Sequence, residues 1–365
     1  MQTLFTSSVK SKSTVRRVAS WAAFGLGISS MLLLNLSLPG SLPIQTGPPM
    51  QSQQPAGRNS LVQTVSQVLT PHLGTMQLAY VYNSRNPDQL FGNFYYTLGT
   101  QLAARGQLIP AEETLAKAIH LLPNDAYGHM NYAIVLEALQ KYPEASAEYL
   151  KATQINPQLV QAWYSLGLLQ DKMGNTPLGI QTLRHAIDLA PNNGFINYDL
   201  GVLYAKQSDY RNSAIYSKKA VENGGDFAEA YNNYGYALAQ LGQYAEAVKM
   251  VDKSLALKPD SAAALDSKGF ALSGMGKPQD ALTSYLDALR QDPTIGEIYL
   301  HIAQTYEKLQ NNSKALKSYQ TYLQMTPDAP DKAAVEARIK QLGNPAENKA
   351  TEVKAGQTKA GEAKK

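Results

Sequence analysis

Proline recurs in this chain on a grid of 34 residues. Pro123, Pro157, Pro191, Pro259, Pro293 and Pro327 occupy it, and the one interrupted slot holds Gly225. Proline disfavours α geometry in the residue before it, so each slot marks the end of a helix. Self-similarity at a fixed period of this size marks a repeat architecture. The grid then orders other residues. Two positions early in each period read Leu98-Gly99, Tyr132-Ala133, Leu166-Gly167, Leu200-Gly201, Tyr234-Gly235, Lys268-Gly269 and Ile302-Ala303. Twelve residues before the slot stand Ala111, Ala145, Gly179, Ser213, Ala247, Ala281 and Ala315; five before it stand Ala118, Ala152, Ala186, Ala220, Ser254, Ala288 and Tyr322. Small residues recur where two helices cross closely. Each period therefore reads as a helix–turn–helix, with Gly106, Gly174, Gly242 and Gly276 in the turns. One such pair cannot bury its apolar face alone, and stacked neighbours bury a continuous core.

The pattern resembles the tetratricopeptide repeat family. Trp163, Leu166, Gly167 and Pro191 carry the family signature, as do Tyr231, Gly235, Tyr244, Ala247 and Pro259. The resemblance covers 92–329 as seven repeats without insertion: 92–125, 126–159, 160–193, 194–227, 228–261, 262–295 and 296–329. It implies an all-α fold, a right-handed α-solenoid of about seven helix–turn–helix repeats, here following an N-terminal hydrophobic helix. Departures from the signature are local. Trp fills the family's Trp slot only at 163, and Tyr322 replaces a small residue in repeat seven. Repeat four ends Asn223-Gly224-Gly225, where glycine permits a left-handed helix cap. That end is expected to be a looser joint.

Outside the repeats the composition shifts. Residues 1–17 are basic, with Lys10, Lys12, Arg16 and Arg17, and the first acidic residue is Asp88. Residues 18–38 contain no charge and are long enough to span a hydrocarbon core. The absence of Ala-x-Ala near residue 40 favours an uncleaved transmembrane anchor over a cleaved signal peptide. The basic flank keeps to the cytoplasm and places the rest extracytoplasmically, in a periplasm or lumen, or secreted if the segment is cleaved. Residues 39–57, with five prolines and three glycines, read as a linker. Residues 58–91 carry Leu61, Val62, Val65, Val68 and Leu69 on one helical face, and are expected to cap the array or form a degenerate repeat. Residues 330–342 should supply a C-terminal capping helix with Ala334, Val335, Ile339 and Leu342 as its apolar stripe. Residues 343–365 lack any apolar stripe and are expected to be disordered.

The net charge of +4 hides a repeat region that carries 19 Lys/Arg against 23 Asp/Glu, a net of −4. A folded part of that sign lacks the basic stripe of a nucleic-acid binder. The absence of cysteine removes disulfides, thiol catalysis and thiolate metal sites. His72, His120, His129, His185 and His301 lie too far apart in sequence for a paired metal motif, and neither a phosphate loop nor a nucleophile motif occurs. His129 stands in the slot of Trp163 and Tyr231, so it is assigned to packing. No enzyme activity, cofactor or metal is expected.

In proteins of the resembled family the first helices line an inner groove. Carried over repeat by repeat, the resemblance points Tyr96, Thr100, Tyr127, Met130, Tyr164, Leu168, Phe195, Tyr198, Val202, Asn232, Tyr236, Asp266, Phe270 and Gln304 into it. The set is aromatic and nearly uncharged. The family's clamp for C-terminal carboxylates needs Lys or Arg at the fifth slot of a repeat, and none stands there, although Asn232 and Asn233 are present. An extended or helical peptide with apolar anchors fits better, with Asn and Gln bonding its backbone. The expected function is a membrane-tethered protein-binding scaffold, serving assembly or maintenance of a membrane or envelope complex. A carbohydrate or cell-wall binder is the alternative, since tyrosines also stack on sugars, but only 2 Trp are present. A regulatory subunit of a separate enzyme is the third reading.

Overall fold

A computed structural model describes residues 86–224 and 227–343, and every regular element among them is an α-helix. Fourteen helices form seven antiparallel pairs. They are α1 (Pro87–Ala104) with α2 (Leu108–Leu121), α3 (Ala126–Ala138) with α4 (Tyr142–Ile155), and α5 (Val160–Lys172) with α6 (Thr176–Leu189). Next come α7 (Gly194–Lys206) with α8 (Tyr210–Asn223), α9 (Ala228–Gln240) with α10 (Tyr244–Leu257), α11 (Ala262–Gly274) with α12 (Pro278–Gln291), and α13 (Gly296–Lys308) with α14 (Asn312–Met325). A fifteenth, α15 (Lys332–Leu342), packs on α14. The described residues divide into two compact bodies between Ala162 and Trp163, within α5.

The turn inside each pair is the same seven times. One residue takes a left-handed conformation: Gly106, Gly174, Gly242 and Gly276, but also Gln140, Ser208 and Gln310. Around it two backbone bonds close the helix end. In the first repeat the Gly106 N–H donates to the Ala103 carbonyl at 2.9 Å and the Gln107 N–H to that of Leu102 at 3.0 Å. This is the Schellman closure, which satisfies carbonyls orphaned at a helix C-terminus.

Within a pair the small residues lie at the crossing. A Cβ on Gly99 would stand 2.6 Å from Leu115 Cγ, and one on Gly235 would stand 2.5 Å from Val251 Cγ2. In six of the seven pairs the crossing has a large buried partner: Leu115, Tyr149, Leu183, Val251, Tyr285 and Tyr319. Burying such a side chain contributes about 1.5–3 kcal/mol. In the body 86–162 the core joins Ala111 and Leu115 to Val135, and Ala126 and Ala152 to Leu159 and Ala162. In the body 163–343 clusters run through Leu238–Ala271, Leu272–Ile302 and Ala303–Leu342.

Several expectations meet the geometry here. Gly224 does not take a left-handed cap: its φ is −100°. Its value lies in close approach, because a Cβ on Gly194 would fall 2.7 Å from Gly224 Cα. Gly225 lies outside the described residues. On α15, Val335 and Leu342 are buried against Tyr319 and Tyr322. Tyr322 is large where other repeats are small because its hydroxyl donates to Asp331 Oδ1 at 2.6 Å, in the segment leading into α15. Among the described residues no helix is long and apolar enough to cross a membrane. The expected anchor and linker, residues 58–85 of the expected N-terminal cap and residues 344–365 of the tail lie outside them, while residues 87–91, expected in the cap, form the start of α1.

Candidate functional site

Within each body, first helices of successive repeats lie side by side, and polar side chains bond them at a spacing of 35 residues. Asn131 Nδ2 donates to Tyr96 Oη at 2.7 Å in one body. In the other, the Tyr164 hydroxyl donates to Asp199 Oδ2 at 2.6 Å, and His301 Nδ1 meets Asp266 Oδ1 at 2.7 Å. The residue at the fifth position of a repeat thus bonds the sixth position of the next. About two turns further along, Lys206 Nζ donates to Asp171 Oδ1 at 2.7 Å and Lys308 Nζ to Ser273 Oγ at 2.6 Å.

This ladder uses up several residues expected to face a partner. Asp266 is only 5% exposed, with its carboxylate on His301. Burial works against a charge on that imidazole, but the attraction and hydrogen bond of Asp266 outweigh it and hold the His301 pKa above its usual value. Tyr96 accepts from Asn131, and Thr100 Oγ1 donates to the Thr97 carbonyl at 2.9 Å. Met130 packs against the Ala126–Ala162 core. Tyr164 is engaged by Asp199. Leu168 and Val202 are half-buried, Gln304 is exposed, and Tyr127 is exposed on the body 86–162.

Between repeats four and six the ladder stops. The corresponding side chains are Asn233, whose buried Nδ2 has no partner, and Asn232, whose buried Oδ1 has none. Aromatic rings also gather on repeats four to six. Phe195 is 66% exposed, more than any other large hydrophobic among the described residues. Its ring centroid lies 5.7 Å from that of Phe227, which in turn lies 4.6 Å from Tyr198. Tyr210 meets Tyr236 edge-on at 6.0 Å, and Tyr236 continues to Phe270 at 6.4 Å and Phe270 to His301 at 6.0 Å. Burial, then the neighbouring Tyr210, raise the Tyr236 hydroxyl well above its usual pKa, so it stays protonated and able to donate.

From the expected set, Phe195 and Tyr198 are therefore brought together through Phe227, and Tyr236 meets Phe270. Phe227 and Tyr210 join them unexpectedly. Phe227 had a signal: it stands at the position where Asp125, Asn193 and Ser261 cap the first helices of other repeats. A ring there makes no cap bond and is available for contact. Tyr210 lies on a second helix, which reading first helices alone passes over. His129 is fully buried, 2.5 Å from Glu148 Oε2 and 3.0 Å from the Pro123 carbonyl, in keeping with a packing role.

Sequence models of the tetratricopeptide repeat match residues 160–193, 226–294 and 268–330, and a TPR repeat model matches 135–174. FlbA of Caulobacter vibrioides is 25% identical over 171 residues, covering 47% of this chain and 29% of that protein. The human cell division cycle protein 16 homolog is 26% identical over 193 residues, covering 50% of this chain and 30% of its own length. The chain thus spans under a third of the length of these curated relatives. Among solved structures, a tetratricopeptide repeat protein from Parabacteroides merdae superimposes with a TM-score of 0.53 at 16% identity, covering 70% of this chain and 100% of that one, a likeness of fold alone. The matched segments fall on the helix pairs described above: residues 135–193 and 226–330 of this chain are tetratricopeptide repeats.

Proposed function

We propose that this chain is a membrane-tethered scaffold, its repeats extracytoplasmic, that holds apolar peptide segments of partner proteins for the assembly or maintenance of a membrane or envelope complex. Tetratricopeptide repeats mediate protein–protein interaction and are generally non-catalytic. The tether rests on the uncharged residues 18–38 behind Arg16 and Arg17. The recognition face rests on one observation: Asn232 Oδ1 and Asn233 Nδ2 on α9 are buried without partners, and Phe227, at the start of that helix, meets the exposed ring of Phe195. An unpartnered buried amide costs about 1–3 kcal/mol, which a ligand recovers by bonding it. A peptide backbone carries one donor and one acceptor per residue, matching the two amide atoms. Apolar anchors would cover Phe195, Tyr198 and Phe227, rings that lose little entropy on contact.

The test is binding of labelled, uncharged peptides bearing spaced Leu and Phe anchors. The double change Phe195→Ala with Asn232→Ala should weaken binding by at least about thirtyfold, roughly 2 kcal/mol, with helix content unchanged. Equal affinity in the folded double variant would remove this face as the site.

A further inference from the structure

Repeat four is built differently from the other six. At the crossing of its two helices Ser217 occupies the position held by Leu115, Tyr149, Leu183, Val251, Tyr285 and Tyr319 in the rest. Its second helix, α8, buries only Ser213, Ser217 and Ala220, whereas the second helix of every other repeat buries a large apolar side chain. Both buried hydroxyls of this helix are unsatisfied: Ser217 Oγ in the slot of the large side chain and Ser213 Oγ in a slot that is otherwise Ala or Gly are buried without partners. Other buried serines do find one, as Ser254 Oγ does in the Ala228 carbonyl at 2.7 Å and Ser284 Oγ in the Asp280 carbonyl at 3.1 Å.

The facing helix departs in step. In repeats one, three and five an aromatic ring on the first helix meets a cation or imidazole on the second: Tyr95 with Lys117, Trp163 with His185, Tyr231 with Lys253. In repeat four the aromatic slot holds Asn197, fully buried, whose Oδ1 also lacks a partner. The cation, Lys219, turns instead to Tyr216 on its own helix. Among the described residues, every buried side-chain polar atom left without a partner lies between 197 and 240.

In a linear array each repeat contacts only its neighbours, so local stability follows local packing. We propose that repeat four is a built-in point of opening: α8 detaches from α7 as a local event while the helix pairs before and after it stay folded. The same repeat carries Phe195 and Tyr198, but the inference rests on its core and not on what that face binds.

Hydrogen exchange on the full chain tests it. Amides of 210–223 should exchange at least about tenfold faster than those of 176–189 and 244–257, a difference of about 1.4 kcal/mol in opening. Ser217→Val should slow 210–223 about tenfold and leave 244–257 unchanged. Valine is chosen because repeat five already holds Val251 opposite Gly235, the geometry that Ser217 and Gly201 share. Ser213→Ala, which cannot overfill the site, should slow the same amides, and Val251→Ser should transfer fast exchange to 244–257. Equal protection of 210–223 and 244–257 in the unaltered chain would overturn the proposal. So would a folded Val251→Ser variant whose α10 exchanges as slowly as before.

Discussion

At the scale of the residue, the turn between paired helices separates what glycine supplies from what the fold demands. All seven turns place one residue at positive φ, from 57° at Gln310 to 89° at Gly174. Four hold glycine; Gln140, Ser208 and Gln310 adopt the same conformation with a Cβ. A side chain there costs about 1–2 kcal/mol, partly offset because glycine loses more freedom on folding. Ser208→Gly should therefore stabilise the chain by about 0.5–1 kcal/mol, read as a raised urea midpoint at constant slope. The reciprocal change, Gly174→Ala, isolates the backbone, because nothing lies within 4 Å of the added Cβ. It should destabilise by about 1 kcal/mol. A neutral Gly174→Ala would mean the turn relaxes out of the left-handed region. The glycine spacing made four of these turns visible in the sequence. The other three were hidden because their residue types carry no preference for that conformation.

At the scale of the element, α15 shows how the array is closed at its C-terminal end. Arg338 Nε lies 3.0 Å from both Glu307 carboxylate oxygens, and the Tyr319 hydroxyl donates to Glu307 Oε1 at 2.6 Å, so one carboxylate ties α13, α14 and α15 together. Burial would raise the Glu307 pKa, but the hydrogen bonds from Arg338 and Tyr319 outweigh it and hold it below 4.5. A carboxylate more acidic when folded stabilises fully above its unfolded pKa and loses that contribution as pH falls through the folded one. Amides of 332–342 should accordingly lose protection below about pH 4.5 ahead of the core helices. Arg338→Met should remove that acid step and speed their exchange about fivefold at neutral pH, about 1 kcal/mol once exposure of the arginine is allowed for. If the acid step persists in the variant, Glu307 does not govern docking. An apolar stripe at Val335 and Leu342 is readable in the sequence; the carboxylate that docks the helix lies 31 residues away from Arg338 and is not.

At the scale of the whole molecule, legibility follows from repetition. A slot that performs one physical task in period after period, such as the small residue at all seven crossings or the proline after six of the seven second helices, emerges by comparing periods within a single sequence. Contacts between repeats do not repeat in kind. The 35-residue ladder is Tyr with Asn at one step, Tyr with Asp at another and Asp with His at a third. Asp266 therefore looked open to a partner until His301 was placed beside it, and the unpartnered Asn232 and Asn233 became distinguishable only against the filled steps. Topology lies outside the repeats and rests on charge asymmetry. The proposed orientation rests on the four basic residues within 1–17 that precede the uncharged segment 18–38, since Lys and Arg flanking such a segment favour the cytoplasmic side. A reporter that is active only outside the cytoplasm, fused after Lys365, should be active, and the chain should remain in the membrane fraction after a high-salt wash. Replacing Leu32, Leu33 and Leu34 by Asp should release it, since each charge at mid-span costs about 2.5–3.5 kcal/mol on insertion scales. Reporter activity confined to the cytoplasm would reverse the orientation, and a wild-type chain found wholly in the soluble fraction of the cell envelope would assign residues 18–38 to a cleaved signal.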